Sequence, residues 1–394
     1  MAKEHSPLRD FLSRESSSGF LLAFAALIGI FLANTPAASS YFSFLEKGFS
    51  IDWGLIVLSM TVQKFINYVL MTIFFFVVGL EIKRELVSGH LSTRKRAITP
   101  FFAALGGMLA PALIYLAIAG DEAPRGWAVP VATDIALAVG LISAVGSRAS
   151  MGLKAFLLAI AVIDDIGAIL IIAFVYSAGL SIPWLGAALA AIVLSLAMRW
   201  RGIESLLMFM FVGIGLWYCL YRSGVHPTLA GVVMGLLTPA KVRNRNDRTD
   251  TTTWIEWLEK KVHPWSSFVI IPLFALANSG VSLSSDDLRE AFQSPIAWGI
   301  ILGLIIGKPL GIMALSYLGS RTRIAELPEG SRFIPLLGTS SAAGIGFTVA
   351  IFLANLAFED TNNQAIAVTA VVAASVVSAF MSLALFSTQK RNSR

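Results

Sequence analysis

The sequence predicts an all-α polytopic membrane protein of twelve transmembrane helices, built as inverted-topology repeats with two broken helices crossing at mid-membrane. Three observations carry this expectation. The 394-residue chain is 56% hydrophobic and 14% charged, and its apolar residues come in long runs rather than alternating with polar ones. Lysine and arginine concentrate in every second segment between those runs. Two runs carry helix-weakening residues near their middles, Pro130 in one and Gly338, Gly344 and Gly346 in the other.

Taken in order, the apolar spans are 18–34, 62–80, 97–119, 126–147, 155–177, 182–198, 205–219, 225–238, 264–283, 294–319, 333–358 and 364–386. Arg9 and Arg14 before the first span and small residues after it resemble a signal peptide. Its removal would spoil the charge alternation, so it is read as a membrane helix. Segment 35–61 is the longest insert between spans and only partly polar. The span "VHPTLAGVVMGLLT", 225–238, falls short of the roughly 20 residues needed to cross alone, which predicts a curved or partial helix. With no low-complexity linker or soluble insert, the chain 1–394 reads as one membrane domain.

Of the 30 Lys and Arg residues, 24 lie in the odd-numbered segments outside the spans and 4 in the even-numbered ones, the N-terminal tail being the first segment. By the positive-inside rule both termini face the cytoplasm, with the loops "EIKRELVSGHLSTRKR" and "KVRNRNDRTDTTTWIEWLEKK". The net charge of +6 therefore speaks of topology and not of nucleic acid. The single cysteine, Cys219, forms no intrachain disulfide and is neutral about compartment.

Three carboxylates, Asp134, Asp164 and Asp165, and one cation, Lys308, lie deep in spans. A charge at mid-membrane costs about 2.5 to 3.5 kcal/mol, and three acids against one base cannot all be neutralised pairwise. The excess calls for a proton or a metal ion. Adjacent helical residues point about 100° apart, so Asp164 and Asp165 face different partners. Gly167 would admit another backbone whose carbonyls complete a hard-cation shell. In "GWAVPVATDIALAVG", Pro130 and Thr133 predict a helix break beside Asp134, and "LLGTSSAAGIGFTVAIF" predicts a second at the comparable place. Spans three to five begin at the cytoplasm and spans ten to twelve begin outside, so units of approximately 97–177 and 294–386 form inverted repeats. Asp134 near positive half-helix ends and Lys308 near negative ones would neutralise the broken helices, with a second ion ligand as the other reading of Asp134. Gly303, Gly307 and Gly311 make a stripe for tight packing around Lys308, which pairs with one aspartate or exchanges a proton as that aspartate takes an ion.

The segments "VGLEIKREL", "PVATDIALAVG", "AVIDDIGAI", "GVHPTLAGV", "HPWSSFVIIPLFALANSGVSL", "GLIIGKPLG" and "GIGFTVAIF", in this order along the chain, closely resemble the NhaA family of bacterial sodium/proton antiporters. That family is itself a type case of the inverted-repeat rule. The resemblance implies a transporter and not an enzyme, with no cofactor, that exchanges cytoplasmic sodium or lithium for external protons. Exchange would be electrogenic and activated at alkaline pH, in the bacterial inner membrane. It implies that Asp164 and Asp165 form the ion site, Asp165 as principal sodium ligand and Lys308 against Asp164. Thr133 and Asp134 would sit at the crossing of the broken helices, and Glu81, Arg84, Glu85, Glu259 and His263 would sense pH. His226 either titrates near neutrality or hydrogen-bonds across helices. Without the resemblance, the acidic and basic residues after the second span would read as a solvated helix end, Glu81 pairing with Arg84. The resemblance also implies a homodimer within the lipid bilayer, formed partly through "YFSFLEKGFSIDWG" in segment 35–61.

Two positions depart from the family pattern, Tyr68 after Asn67 where an acidic residue is expected, and Lys260 beside Glu259 where a histidine is expected. They bear on the pH profile rather than on exchange. An intramembrane aspartyl protease would need two facing carboxylates, which Asp134 and Asp165 mimic, but no "GxGD" occurs. A sodium-coupled symporter of an organic anion is the nearer rival, separable by substrate-dependent sodium uptake.

Overall fold

Helix dominates wherever the apolar runs lie, because a segment in hydrocarbon must satisfy its own backbone. The structure, a computed structural model, describes residues 7–389 apart from 53, 55–56, 90, 178, 204, 241–252, 323–325 and 329–331, and only the backbone at 7–16 and 94–96. The first half of the basic loop "KVRNRNDRTDTTTWIEWLEKK" thus lies outside the described residues, as does Trp53 of the expected dimer segment.

Among the described residues eight helices are long and apolar enough to cross a membrane, or up to ten if two bent pairs each count as one span. They include Val62–Val87, Ala97–Ala119, Pro124–Ala144, Met151–Phe174, Pro295–Arg321 and Thr361–Ser387, which coincide with expected spans. The bent pairs are Ser17–Ala33 with Ala38–Glu46, at 111°, and Phe333–Ala343 with Phe347–Ala357, at 45°. The expected span 225–238 contains a helix of only nine residues, Leu229–Leu237, the partial helix its length predicts. The expectation of an all-helical chain needs one correction. Within segment 35–61, Gly48–Asp52 and Val57–Thr61 pair antiparallel as a hairpin with Gly48 opposite Thr61. Its strand residues alternate enough β-branched, aromatic and hydroxyl side chains to favour the pleat over helix.

Two compact units make up the chain. The first comprises 1–39, 93–168 and 278–394. In it Pro295–Arg321 packs against Arg94–Ala119 at backbone distance, because Gly106 and Gly311 face each other and a Cβ on either would strike the other's carbonyl. Gly303 meets Pro130 and Pro111, and Gly307 meets Pro111, so the expected glycine stripe is a packing seam. The helix widens by one turn at Gly303–Gly307, directly before Lys308 and Pro309, where the missing proline N–H leaves the ordinary ladder unfilled.

The second unit comprises 40–92 and 169–277. Its short helix Leu229–Leu237 lies against Met71–Val87 through Gly79, Gly231 and Gly235, again a contact that any Cβ would close off. Gly224, at φ +85°, ends Leu206–Ser223 in the left-handed conformation that favours glycine. Phe174, Ile182, Trp200 and Phe211 stand on helix surfaces at 73–88% exposure, a distribution that only lipid makes favourable.

Candidate functional site

The first break falls where Pro130 and Thr133 predict it. A 3₁₀ segment, Pro124–Val131, ends in extended backbone at Ala132, and helix resumes as Ile135–Ala144. The half before the break is 3₁₀; Pro124 opens it where no N–H is required, and Pro130 near its end removes a donor from the helix ladder. The second break, Gly344–Gly346, separates Phe333–Ala343 from Phe347–Ala357. The two breaks meet: the Asp134 N–H donates to Ile345 O at 2.7 Å, and Thr133 Oγ1 lies 2.9 Å from Ala343 O.

Asp134 occupies the positive ends of two half-helices. Its Oδ1 accepts from Leu137 N–H at 3.0 Å, capping Ile135–Ala144. Its Oδ2 accepts from the Thr348 N–H at 3.0 Å and the Thr348 hydroxyl at 2.6 Å, at the start of Phe347–Ala357. A carboxylate there compensates the N-terminal half-dipoles and their orphan donors. Lys308 answers at the opposite pole. Its Nζ donates to Val131 O, at the C-terminal end of the 3₁₀ half, and lies 2.9 Å from Asp164 Oδ2.

Asp164 and Lys308 both have 0% exposure, so their charges meet in a dry interior. Thr133 Oγ1 is 2.8 Å from the same Asp164 Oδ2. One hydroxyl hydrogen thus faces two acceptors, Asp164 and Ala343 O. A proton on Asp164 would donate to Thr133 and release its hydroxyl to the carbonyl, so the hydroxyl can follow the protonation state. Asp164 Oδ1 is buried and has no hydrogen-bond partner among the described residues. Asp165, 5% exposed, projects from the next position of the same helix. Among the described residues no group of three or more His, Cys, Asp or Glu side chains is arranged to hold a metal ion. Further oxygens for a cation here would be hydroxyl, carbonyl or water. Gly167 does not admit a backbone as the sequence suggests: the space before its Cα is taken by the Met108 side chain.

The expected pH-sensing residues separate into two places. Arg84 pairs with Glu259 and lies 3.5 Å from Glu85, while His263 Nε2 lies 3.6 Å from Glu81 Oε1. Glu81, Glu85, Glu259 and His263 are each at most 9% exposed, which corrects the reading of a solvated helix end. Val62–Val87 runs on past residue 80, and the helix Trp254–Trp265, started by a Thr253–Glu256 capping box, brings Glu259 and His263 alongside it. Burial pushes the Glu259 carboxyl above the ordinary carboxylate range, against the pull of Arg84 and His263. His226 has other partners: Nδ1 meets Thr228 Oγ1 at 2.6 Å, and its ring stands edge-on to Tyr68 at 4.9 Å. The departure at Tyr68 therefore sits against this histidine. Lys260 is exposed beside Glu259.

Sequence reasoning missed Thr348 and the acceptor carbonyls of Val131 and Ala343. Thr348 was findable, as the hydroxyl residue in the first turn after "GIGF".

Comparisons with known proteins converge. The family described as "Na+/H+ antiporter 1" matches residues 9–386. Relatives named Na(+)/H(+) antiporter NhaA include one from Yersinia enterocolitica, 46% identical over 354 residues, 89% of this chain and 88% of the relative. Another, from Serratia proteamaculans, is 46% identical over 357 residues and 90% of each chain. One from Yersinia pestis is 45% identical over 357 residues, 90% of this chain and 89% of the relative. With the family pattern spanning nearly every helix that builds the crossing, the chain belongs to the Na+/H+ antiporter 1 family.

Proposed function

We propose that this chain exchanges cytoplasmic sodium or lithium for external protons, electrogenically and with activation at alkaline pH, across a bacterial inner membrane. The observation that carries the reading is Asp164 Oδ1, a buried carboxylate oxygen with no donor among the described residues, next in sequence to a second carboxylate. A sodium or lithium ion entering from water would bind that oxygen together with Asp165 and Thr133. A carboxylate cannot hold a proton and the ion at once, so competition makes the exchange obligatory. Alternating access then carries whichever cation is bound.

The finer architecture belongs to the same proposal: twelve spans in one membrane domain, both termini cytoplasmic, and inverted repeats near 97–177 and 294–386. The meeting of the two breaks supports the repeats, since each supplies a half-helix N-terminus to Asp134. Pairing of chains as homodimers would use segment 35–61, where the exposed strand Gly48–Asp52 offers a backbone edge. Nucleic acid has no part in it.

The test is reconstitution into vesicles with an imposed acid-inside pH gradient. Sodium added outside is expected to collapse the gradient and potassium to leave it, and clamping the membrane potential is expected to change the rate. A gradient indifferent to sodium defeats the reading. Glu259 supplies a further prediction. Burial raises its carboxyl from the ordinary value, so it keeps its proton to a higher pH than a free carboxyl does, and glutamine fixes the neutral form. Glu259→Gln should move the half-activation pH upward, by about half a unit or more. An unmoved midpoint in a pH series removes Glu259 from sensing.

A further inference from the structure

The last helix meets the second break along one face. Ser375, Ser378 and Ser382 recur at helical spacing within Thr361–Ser387, and all three are buried. Ser382 donates to Gly338 O at 2.8 Å, in the half-helix before the break. Ser375 Oγ accepts from the N–H of Phe347 at 3.3 Å, the first residue of the half-helix after it. Ser378 lies between them, at 0% exposure, and its Oγ has no hydrogen-bond partner among the described residues.

The contact at Phe347 meets a need that the local sequence leaves open. The first N–H groups of a helix have no acceptor within it, and a polar N-cap side chain ordinarily supplies one. Here the N-cap is Gly346, where a Cβ would lie 3.1 Å from Ala132 O and 3.0 Å from Ala350 Cβ, so the crossing itself leaves little room for a capping side chain. Neighbouring spans supply the acceptors instead. Ser375 takes the Phe347 N–H, and Asp134 takes the next one, of Thr348, with its hydroxyl.

We propose that Ser375 is a positioning residue of the ion site: it caps the half-helix Phe347–Ala357 from outside that span and fixes where Thr348 meets Asp134. The inference rests on the exchange reading above. Asp134 is tied through its own N–H to Ile345 O, one residue before Gly346, and its neighbour Thr133 reaches Asp164. Releasing Phe347 therefore displaces both clamps on Asp134 and, through Thr133, the oxygens offered to sodium. The effect falls on ion affinity and its pH dependence before it falls on turnover.

The test uses the full chain in proteoliposomes, with sodium dependence measured at several pH values for the unmodified protein, Ser375→Ala, Ser375→Thr and Ser378→Ala. Ser375→Ala is expected to raise the half-maximal sodium concentration by about fivefold or more, the effect of one buried donor left unpaired, with turnover at saturating sodium nearly kept. Ser375→Thr restores the hydroxyl and the affinity. Ser378→Ala, which deletes a hydroxyl without a partner from the same buried face, leaves both unchanged. If Ser375→Ala does not insert stably, Ser375→Cys keeps the size, weakens the acceptor and is read the same way. An unaltered sodium dependence in the Ser375 variant overturns the proposal. So does an equal rise in Ser378→Ala, which would assign the effect to the helix face and not to the hydrogen bond. Absence of exchange in the unmodified protein would overturn the exchange reading and this inference together, and is thereby distinguished from either of the other results.

Discussion

Asp165→Asn is expected to abolish sodium-driven proton movement in reconstituted vesicles while leaving the protein folded. Asparagine keeps the volume and loses both the charge and the proton. The crossing explains why this position should matter more than Asp134. The Asp134 carboxylate accepts three hydrogen bonds at two half-helix N-termini, a structural assignment with little left for an ion. Asp164 gives Oδ2 to Lys308 and Thr133 and keeps Oδ1. With Asp134 held by half-helix N-termini and Lys308 paired with Asp164, the proposed ion would balance Asp165 in a medium that screens charge poorly. Removing one charge of a buried set costs about 3 to 5 kcal/mol, so the rate at fixed sodium should fall by about two to four orders of magnitude. The vesicle assay reads this directly, with an ionophore showing that the gradient was present. A folded Asp165→Asn protein that still exchanges sodium for protons would take Asp165 out of the site and leave Asp164 with Thr133 as its oxygens.

Much of the crossing is legible in the sequence because its causes are local. Pro130 removes a donor, and the glycines at 344 and 346 weaken helix, so both breaks follow from residue chemistry. That Asp134 and Lys308 take opposite poles follows from half-helix dipoles: Asp134 accepts from the Leu137 and Thr348 N–H groups, and Lys308 donates to Val131 O. What the sequence hides is whatever depends on which segment arrives from far away. Thr348 and Asp134 are 214 residues apart, and no spacing rule connects them. The buried state of Glu81 and Glu85 needs the helix Trp254–Trp265, whose polar residues look solvated when read alone. Gly167 misled for the same reason: a glycine announces room, but not whether a backbone or the Met108 side chain fills it. The hairpin in 35–61 was hidden because its strands are five residues each and mostly exposed, with Met60 their one buried side chain, too short a pattern to set a period of two.

Lys308→Met should lower thermal stability sharply, and pairing it with Asp164→Asn should restore most of the loss. The ammonium and the carboxylate lie 2.9 Å apart with no exposure, so deleting the cation alone strands a charge in the interior, at about 3 to 5 kcal/mol. Removing both leaves neutral groups of similar size, which such sites tolerate far better. A double-mutant cycle in melting temperature would measure the coupling, and additive losses would mean that the pair holds nothing. The same variant separates two ways of carrying the second proton. When sodium takes Asp164, the local charge stays constant only if a proton leaves, and the ammonium already in contact is the nearest source. Lys308→Met should then leave any residual exchange electroneutral, with a rate indifferent to the membrane potential. Voltage-sensitive exchange in that variant would return the second proton to Asp164 itself. The ion pair would then be scaffolding for the crossing, held by Val131 O on one side and Thr133 on the other.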